Sequence, residues 1–435
     1  MRTSLNSLTP TTENLELPLS YLPALARTSL DLQAELEAFR DFNQATRQFI
    51  THCQRSDGEA LTIPTFVNEF WTAKQCQAHS LHEVSYRACF KPQLPRFFIE
   101  RLTRAGDVVY DPFMGRGTTA IEAALLGRVP FGCDVNPLSA VLTRGRLRPP
   151  SWTEVAQRLQ AIDLRASKEF PEELLAFYHP ATLRQITALK EYLLARRLSK
   201  SCDAVDDWIC LVALNRLTGH SPGFFSVYTL PPNQAVSVKS QEKINAKRSQ
   251  IPPPRDVTSL ILKKSRNLLQ DCDTPTRQQL AKVAPDSMLL TQSCSRTPEI
   301  PDESVSLVVT SPPFLNVVDY ATDNWLRCWF LGIDPKAVNL TVPKKLERWR
   351  ASMTEVFYEL SRILKPGGHV AFEVGEVHAG KTKLEETVLP CGITAGLEPV
   401  LVLINDQKFT KTANCWGVEN NFKGTNTNRI VLFRK

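Results

Sequence analysis

Asp107-Val108-Val109-Tyr110-Asp111-Pro112-Phe113-Met114-Gly115-Arg116-Gly117-Thr118-Thr119 reads as a short strand, a glycine turn and the start of a helix. Ala120 to Leu126 continue the helix and Gly127 ends it. Val129-Pro130-Phe131-Gly132-Cys133-Asp134 then gives a second strand with an acid at its end. Gly115 and Gly117 let the backbone turn sharply and leave room for a ligand against the main chain. A strand, turn, helix and strand in this order predict an α/β chain built on a mostly parallel twisted sheet.

The chemistry of the turn is more specific than its shape. An acid about twenty residues beyond a glycine turn, here Asp134, is placed to hold ribose hydroxyls. Two features depart from a dinucleotide site: the third glycine is missing, and Asp111 stands at the end of the first strand. A carboxylate there repels a pyrophosphate but welcomes a cationic amino group. The ligand expected is therefore a nucleoside carrying an amino acid, S-adenosylmethionine. Asp111, Pro112, Phe113, Gly115, Gly117, Thr118 and Asp134 are the candidate cofactor residues.

A second motif lies far along the chain. Val305-Ser306-Leu307-Val308-Val309-Thr310 is a β-branched strand, and Ser311-Pro312-Pro313-Phe314 follows it. Two prolines cannot donate to a sheet ladder, so the strand stops there, and their carbonyls are left as acceptors. The Ser311 hydroxyl adds an acceptor and Phe314 an aromatic face. Ser311, Pro312, Pro313 and Phe314 thus suit a planar base with an exocyclic amine, held by two acceptors and one stacking ring.

Together the two motifs resemble the S-adenosylmethionine-dependent amino methyltransferases of DNA, the N4-cytosine and N6-adenine group. Asp111 to Thr119 is similar to that family's cofactor motif, and Thr310 to Phe314 to its catalytic motif, in the Ser-first form of the N4-cytosine branch. The resemblance extends to Tyr86 through Pro95, to Leu364-Lys365-Pro366-Gly367-Gly368 and to Gly424 through Ile430, similar to the family's closing hairpin. It covers roughly residues 62–140 and 285–435 and implies a Rossmann-like methyltransferase fold with a C-terminal antiparallel hairpin. It implies direct methyl transfer to the N4 amine of a flipped-out cytosine, with Ser311 and the Pro312 carbonyl accepting the amine protons and Phe314 stacking on the base. An N6-adenine DNA enzyme and an RNA amino methyltransferase are the alternatives, and a catalytically silent binding module is a rival of another class. The family's adenine-contacting Asp has no counterpart in Leu290 to Arg296, which leaves Gln292 or Ser293 for that task. Asp319, Tyr320 and Trp416 are further candidates for the pocket wall.

The rest of the 435 residues sort around these motifs. Residues 1–60 read as a loose arm and a helix, with Leu30, Leu32, Leu36, Phe39, Phe42 and Phe49 near helical spacing over 30–54. Residues 61–150 form the cofactor part, 151–284 a mainly helical insert suited to target recognition, and 285–435 the catalytic part. At 43% hydrophobic and 22% charged residues the composition excludes a disordered or fibrous chain. No apolar run reaches membrane-spanning length and no secretory signal is evident. Eleven cysteines without a C-x-x-C pair and seven histidines without H-x-x-x-H predict reduced thiols and no metal. The expected location is the cytoplasm, in association with the nucleoid. A Pro390-Cys391 pair is far from the catalytic turn and is not expected to be a nucleophile.

The net charge is +7, and most of that excess lies between 239 and 266: Lys239, Lys243, Lys247, Arg248, Arg255, Lys263, Lys264 and Arg266 against Glu242 and Asp256. Lys239, Lys243 and Lys247 recur every fourth residue and so share a helix face. The natural use of such a face is contact with DNA phosphates. The expected partners are double-stranded DNA and a cognate restriction endonuclease.

Overall fold

The computed structural model describes residues 29–40, 44–54, 58–72, 78–86, 89–167, 169–230, 235–313, 320–335, 345–374, 376–377, 382–406 and 427–435. Phe314, Asp319 and Trp416 lie outside the described residues, as does the Tyr320 side chain.

Eleven strands occur among the described residues: β1 (Arg47–Gln54), β2 (Ala60–Asn68), β3 (Val108–Asp111), β4 (Val129–Asp134), β5 (Met288–Thr291), β6 (Val305–Thr310), β7 (Leu364–Val374), β8 (Glu376–Val377), β9 (Thr382–Lys383), β10 (Glu398–Asp406) and β11 (Thr427–Arg434). The helices are α1 (Ser29–Ala38), α2 (Gln93–Leu102), α3 (Thr118–Leu125), α4 (Pro137–Leu147), α5 (Trp152–Ala161), α6 (Pro180–Leu198), α7 (Ala204–Leu214), α8 (Val238–Arg248), α9 (Val257–Leu268), α10 (Thr274–Val283), α11 (Tyr320–Leu331), α12 (Leu346–Ile363) and α13 (Leu384–Thr394).

Nine strands form one sheet in the order β1-β2-β10-β11-β7-β6-β3-β4-β5, and β8 pairs with β9 apart from it. The run β7-β6-β3-β4-β5 is parallel throughout. β11 is inserted antiparallel between β7 and β10, the hairpin expected at the C-terminus. This is the α/β architecture that the sequence predicts, a mostly parallel sheet closed by an antiparallel hairpin. Its central strands are apolar on both faces, as parallel strands covered by helices must be: Val305, Leu307, Val308 and Val309 of β6 are all fully buried. On one face α12 and α13 bring Phe357, Leu360, Val388 and Leu389 against Phe372, Val431 and Phe433. On the other, α1 and α2 bring Leu36, Phe97 and Phe98 against Leu307, Ala371 and Leu403.

The expected long helix over 30–54 is corrected. Helix α1 stops at Ala38, and residues 47–54 form β1 in antiparallel pairing with β2. The reason is tertiary: β2 adds in parallel to β10, with Thr65 opposite Val402 and Val67 opposite Ile404, and β1 completes the hairpin. The helical spacing of the apolar residues was a weaker constraint than this edge.

Helices α5 to α10 follow one another between Trp152 and Val283. Ser151 and Asp203 start α5 and α7 with capping boxes. The buried Asp206 pairs with Arg158 of α5 and Arg196 of α6, and the Trp208 indole donates to Ser265 Oγ of α9 at 3.0 Å. The block has no separate core: Trp208, Leu211 and Ile261 share one apolar cluster with Ile121 of α3, Leu138 and Leu142 of α4 and Leu326 of α11. Contact with α4 is close enough that a Cβ on Gly145 would lie 2.9 Å from the Asp207 carbonyl oxygen.

Candidate active site

β3, β4, β5, β6 and β7 present their carboxyl ends at one edge of the sheet, and the strand order reverses between β3 and β6. Crevices at such a switch point are the usual ligand sites of doubly wound sheets. Both sequence motifs end there.

The first motif folds as expected. Gly115 and Gly117 adopt φ of +52° and +76°, which side-chain-bearing residues rarely take up. A Cβ on Gly117 would also fall 2.1 Å from Thr143 Oγ1. Asp111 is fully buried; its Oδ1 accepts from the Phe113 backbone N–H at 3.1 Å and from Thr310 Oγ1 at 2.6 Å. Its Oδ2 is buried without a hydrogen-bond partner among the described residues. Burial pushes the Asp111 carboxyl up to about 7, against the pull of the Thr310 and Phe113 bonds. Pro112 and Thr118 are buried and Phe113 is half-buried at the same turn. Asp134, half-buried at the end of β4, accepts the Gly115 N–H and the Asn136 N–H, both at 2.8 Å. Burial raises its carboxyl above the usual range. Asp134 is thus a brace of the glycine turn as well as a candidate ribose ligand.

The second motif is fastened directly to the first. Besides the Thr310–Asp111 bond, Thr119 Oγ1 of α3 donates to the Val309 carbonyl at 3.0 Å. Beyond Thr310, Ser311 is half-buried, Pro312 buried and Pro313 half-buried. The expectation that both proline carbonyls stand free is corrected: the Trp349 indole of α12 donates to the Pro313 carbonyl at 3.0 Å. An indole N–H in a packed site needs an acceptor, and this turn supplies it. Ser311 follows Thr310, which stands opposite Phe372 in the β6–β7 register, so its neighbour on β7 is Glu373. Glu373 is buried, and its Oε1 accepts from Asn428 Nδ2 of β11 at 3.0 Å. Sequence reasoning missed Glu373; the available signal was a lone acid in the apolar run His369-Val370-Ala371-Phe372-Glu373-Val374.

The segment ahead of the cofactor turn forms part of its surround. Tyr86 Cε1 would stand 3.8 Å from a Cβ on Gly115. Three guanidinium groups hold the carbonyls of this segment. Arg116 donates to Val84 and Phe90, Arg146 to Leu81, and Arg327 of α11 to Ser85. Of the adenine-contact candidates, Gln292 lies just beyond β5, where its N–H bonds the Asp134 carbonyl and its side-chain amide donates to Glu299 at 2.7 Å. Ser293 bonds Ser295.

The basic residues divide. Lys239, Lys243, Lys247 and Arg248 are exposed on α8, and Lys263 and Arg266 are exposed on α9. Arg248 stacks on Tyr228 at 3.8 Å and Arg266 lies over Trp152 at 5.2 Å. Arg255 and Lys264 are half-buried, and Lys264 pairs with Glu83 at 3.3 Å. Lys264 is therefore not the free phosphate contact that its place in the charged run implied. The segment leading into α8 reaches the catalytic region, since Trp325 of α11 donates to the Val236 carbonyl at 3.2 Å. Cys391 is buried on α13, its thiol against the carbonyls of Arg350 and Thr387. Among the described residues no helix is long and apolar enough to cross a membrane, and no His, Cys, Asp and Glu cluster is arranged to hold a metal.

A family model described as DNA methylase, of the N6 and N4 methyltransferase group, matches residues 44–140. The type II methyltransferase M.MvaI of Kocuria varians is 24% identical over 254 residues, 53% of this chain and 52% of that protein. M.BsoBI of Geobacillus stearothermophilus is 22% identical over 312 residues, 63% of this chain and 57% of that protein. M.MjaII of Methanocaldococcus jannaschii is 31% identical over 96 residues, 22% of this chain and 18% of that protein. The chain thus spans a little over half the length of the first two relatives and a smaller part of the third.

Proposed function

We propose that this chain is an S-adenosylmethionine-dependent DNA amino methyltransferase that acts on the N4 amine of a cytosine flipped out of duplex DNA. The matched family model and the type II methyltransferase relatives support a DNA amino methyltransferase. The observation that carries the reading is the joining of Asp111 to the Ser311-Pro312-Pro313 turn through Thr310 at the switch point of the sheet.

The residues present fit the cofactor. The partnerless Asp111 Oδ2 is a buried acceptor of the kind an α-ammonium group would satisfy. Asp134, with each oxygen taking one backbone N–H, keeps lone pairs for ribose hydroxyls. Pro112, Phe113, Gly115, Gly117 and Thr118 complete the surround. When bound, the cofactor supplies a sulfonium methyl group.

The chain's own part is positioning and electrostatics. The Ser311 hydroxyl has lone pairs with which to accept from the target amine. The Pro312 carbonyl is the second acceptor, while Trp349 fixes the turn by holding the Pro313 carbonyl. Phe314 stacks on the base. Extrusion of the base from the duplex costs a few kcal/mol, and the exposed lysines of α8 supply phosphate contacts towards it. The helical block over 151–284 serves target recognition, a cognate restriction endonuclease is the expected partner, and the nucleoid is the expected location.

The test is nucleoside mass spectrometry of long unmodified plasmid DNA incubated with the purified protein and labelled S-adenosylmethionine. N4-methylcytosine is the expected product. N6-methyladenine would reassign the target, a product on RNA alone the substrate, and no cofactor-dependent product the whole reading.

A further inference from the structure

We infer that Ile251, at the tip of the turn between α8 and α9, is an apolar wedge that enters the base stack of duplex DNA as the target base leaves it. The inference rests on the reading of the chain as an enzyme that methylates an extruded base. The turn runs Ser249-Gln250-Ile251-Pro252-Pro253-Pro254-Arg255, and Ile251 is 86% exposed. A single exposed hydrophobe is ordinary on a protein surface. What sets this one apart is the stiffness of its mount and the charge around it.

The chain leaves α8 through Ser249, whose φ of +47° is one that a side-chain-bearing residue rarely adopts. The Gln250 side-chain amide donates to the Tyr228 carbonyl at 2.9 Å and to Asn245 Oδ1 at 2.8 Å. The Gln250 backbone N–H donates to the Asn245 carbonyl at 3.0 Å. Three prolines follow Ile251, each with φ fixed by its ring. Beyond them the Arg255 N–H donates to Oγ1 of the buried Thr182 on α6 at 2.7 Å, and that hydroxyl donates to the Arg255 carbonyl at 3.0 Å. The turn is thus fastened on both sides of Ile251. An apolar group already held in place gives up little conformational freedom when a partner buries it.

The surround is cationic. Lys239, Lys243, Lys247 and Arg248 are exposed on α8, and Lys263 and Arg266 on α9. The acids of this stretch are Glu242 and Asp256, and Asp256 is held at the start of α9 by the Ser259 N–H at 2.6 Å. Such a surface brings phosphates to the tip. An aliphatic side chain set among phosphates has one apolar destination, the base stack, and proteins that kink or open duplexes insert residues of this kind there. The tip is also tied to the catalytic side of the molecule. Tyr228, whose carbonyl takes the Gln250 amide and whose ring carries Arg248 at 3.8 Å, lies on the segment that leads to Ala235 and Val236. The Ala235 N–H donates to the Asp323 carbonyl at 3.3 Å, and the Val236 carbonyl accepts from Trp325 at 3.2 Å. Both partners are on α11, the helix that follows the catalytic turn. In the stack, Ile251 fills space that the extruded base gives up and so opposes its return.

The experiment measures single-turnover methyl transfer by the full chain on synthetic duplexes that carry the sequence methylated in plasmid DNA. One duplex is fully paired; in the other the target base is mispaired, which makes extrusion easier. On the paired duplex Ile251→Ser should be about 10- to 100-fold slower than wild type, the equivalent of one large aliphatic side chain losing its apolar burial. On the mispaired duplex the two proteins should agree within about threefold. Ile251→Leu, equally apolar, should stay within about threefold of wild type on both. Because Ile251 is exposed, the serine variant should melt with wild type and bind S-adenosylmethionine equally well. An Ile251→Ser rate within about threefold of wild type on the paired duplex overturns the inference, and so does an equal loss on both duplexes. Wild-type protein that methylates no base of the plasmid overturns the functional reading as well, so the two failures are distinct.

Discussion

The hydroxyl of Thr310 donates a 2.6 Å hydrogen bond to Oδ1 of Asp111, so the residue before Ser311 is tied to the acid that ends the neighbouring strand. Two chain segments some two hundred residues apart in sequence thereby share one carboxylate. The bond also favours the ionised acid, in opposition to burial.

Thr310→Val should therefore raise the proton affinity of Asp111 and shift cofactor binding to higher pH. At pH 7 the affinity for S-adenosylmethionine should fall about tenfold, equivalent to ~1.4 kcal/mol and near the boundary between a neutral hydrogen bond and one to a charged group. Calorimetry across pH 6 to 8.5 checks this; affinity equal to wild type throughout would break the link between the two residues.

Asp111 also sets a pH dependence of stability. Its carboxyl lies at about 7 in the fold against an ordinary 3.8, so the folded protein binds the proton more tightly than the unfolded chain. Its contribution is full below about pH 4 and is lost as pH rises towards about 7. Asp111→Asn removes that loss. The cofactor-free variant should melt above wild type at pH 8, with a smaller gap at pH 5, while its cofactor binding collapses. Equal gaps at both pH values would show that Asp111 does not titrate in this range.

Ser311→Ala should lower methyl transfer by about 10²–10³, the cost of one preorganised polar contact in an active site, with cofactor affinity nearly unchanged. Cys391→Ser should remain active, since the Cys391 thiol is packed against α12 and α13 carbonyls. An inactive Cys391→Ser beside a fully active Ser311→Ala, measured in single turnovers, would point to covalent chemistry on carbon.

Replacing Lys239, Lys243 and Lys247 together with glutamine should weaken binding to all DNA sequences alike. The salt dependence should flatten by roughly 0.9 for each phosphate no longer neutralised. Lys264→Gln should leave that slope unchanged, because Lys264 is half-buried beside Glu83. Fluorescence titrations at several salt concentrations separate the two cases; a slope altered by Lys264→Gln alone would return that residue to the interface.

What the sequence made legible was local. The glycine turn, the acid at the end of β4 and the prolines that stop β6 are each decided by a few adjacent residues, and the sheet edge they share follows from parallel strands. The β1–β2 hairpin was not legible, because its strand state comes from Thr65 and Val67 docking beside Val402 and Ile404. Glu373 was hidden for a similar reason. Its surroundings depend on the registers that set β7 between β6 and β11, and no window along β7 contains its partner Asn428. Lys264 was misread because charge alone cannot tell an exposed lysine from one turned towards Glu83.

The shared cluster that joins Trp208 and Leu211 to Ile121, Leu138 and Leu326 limits how this chain can be rebuilt. A recognition module that folds by itself can be exchanged between enzymes at its two chain crossings. Here excision of residues 151–284 would strip the outer faces of α3 and α4, the helices that follow the glycine turn and Asp134. Exchanging the block with that of another protein must therefore carry matching α3, α4 and α11 surfaces with it. Chimeras cut only at its two chain junctions should lose cofactor binding along with DNA recognition.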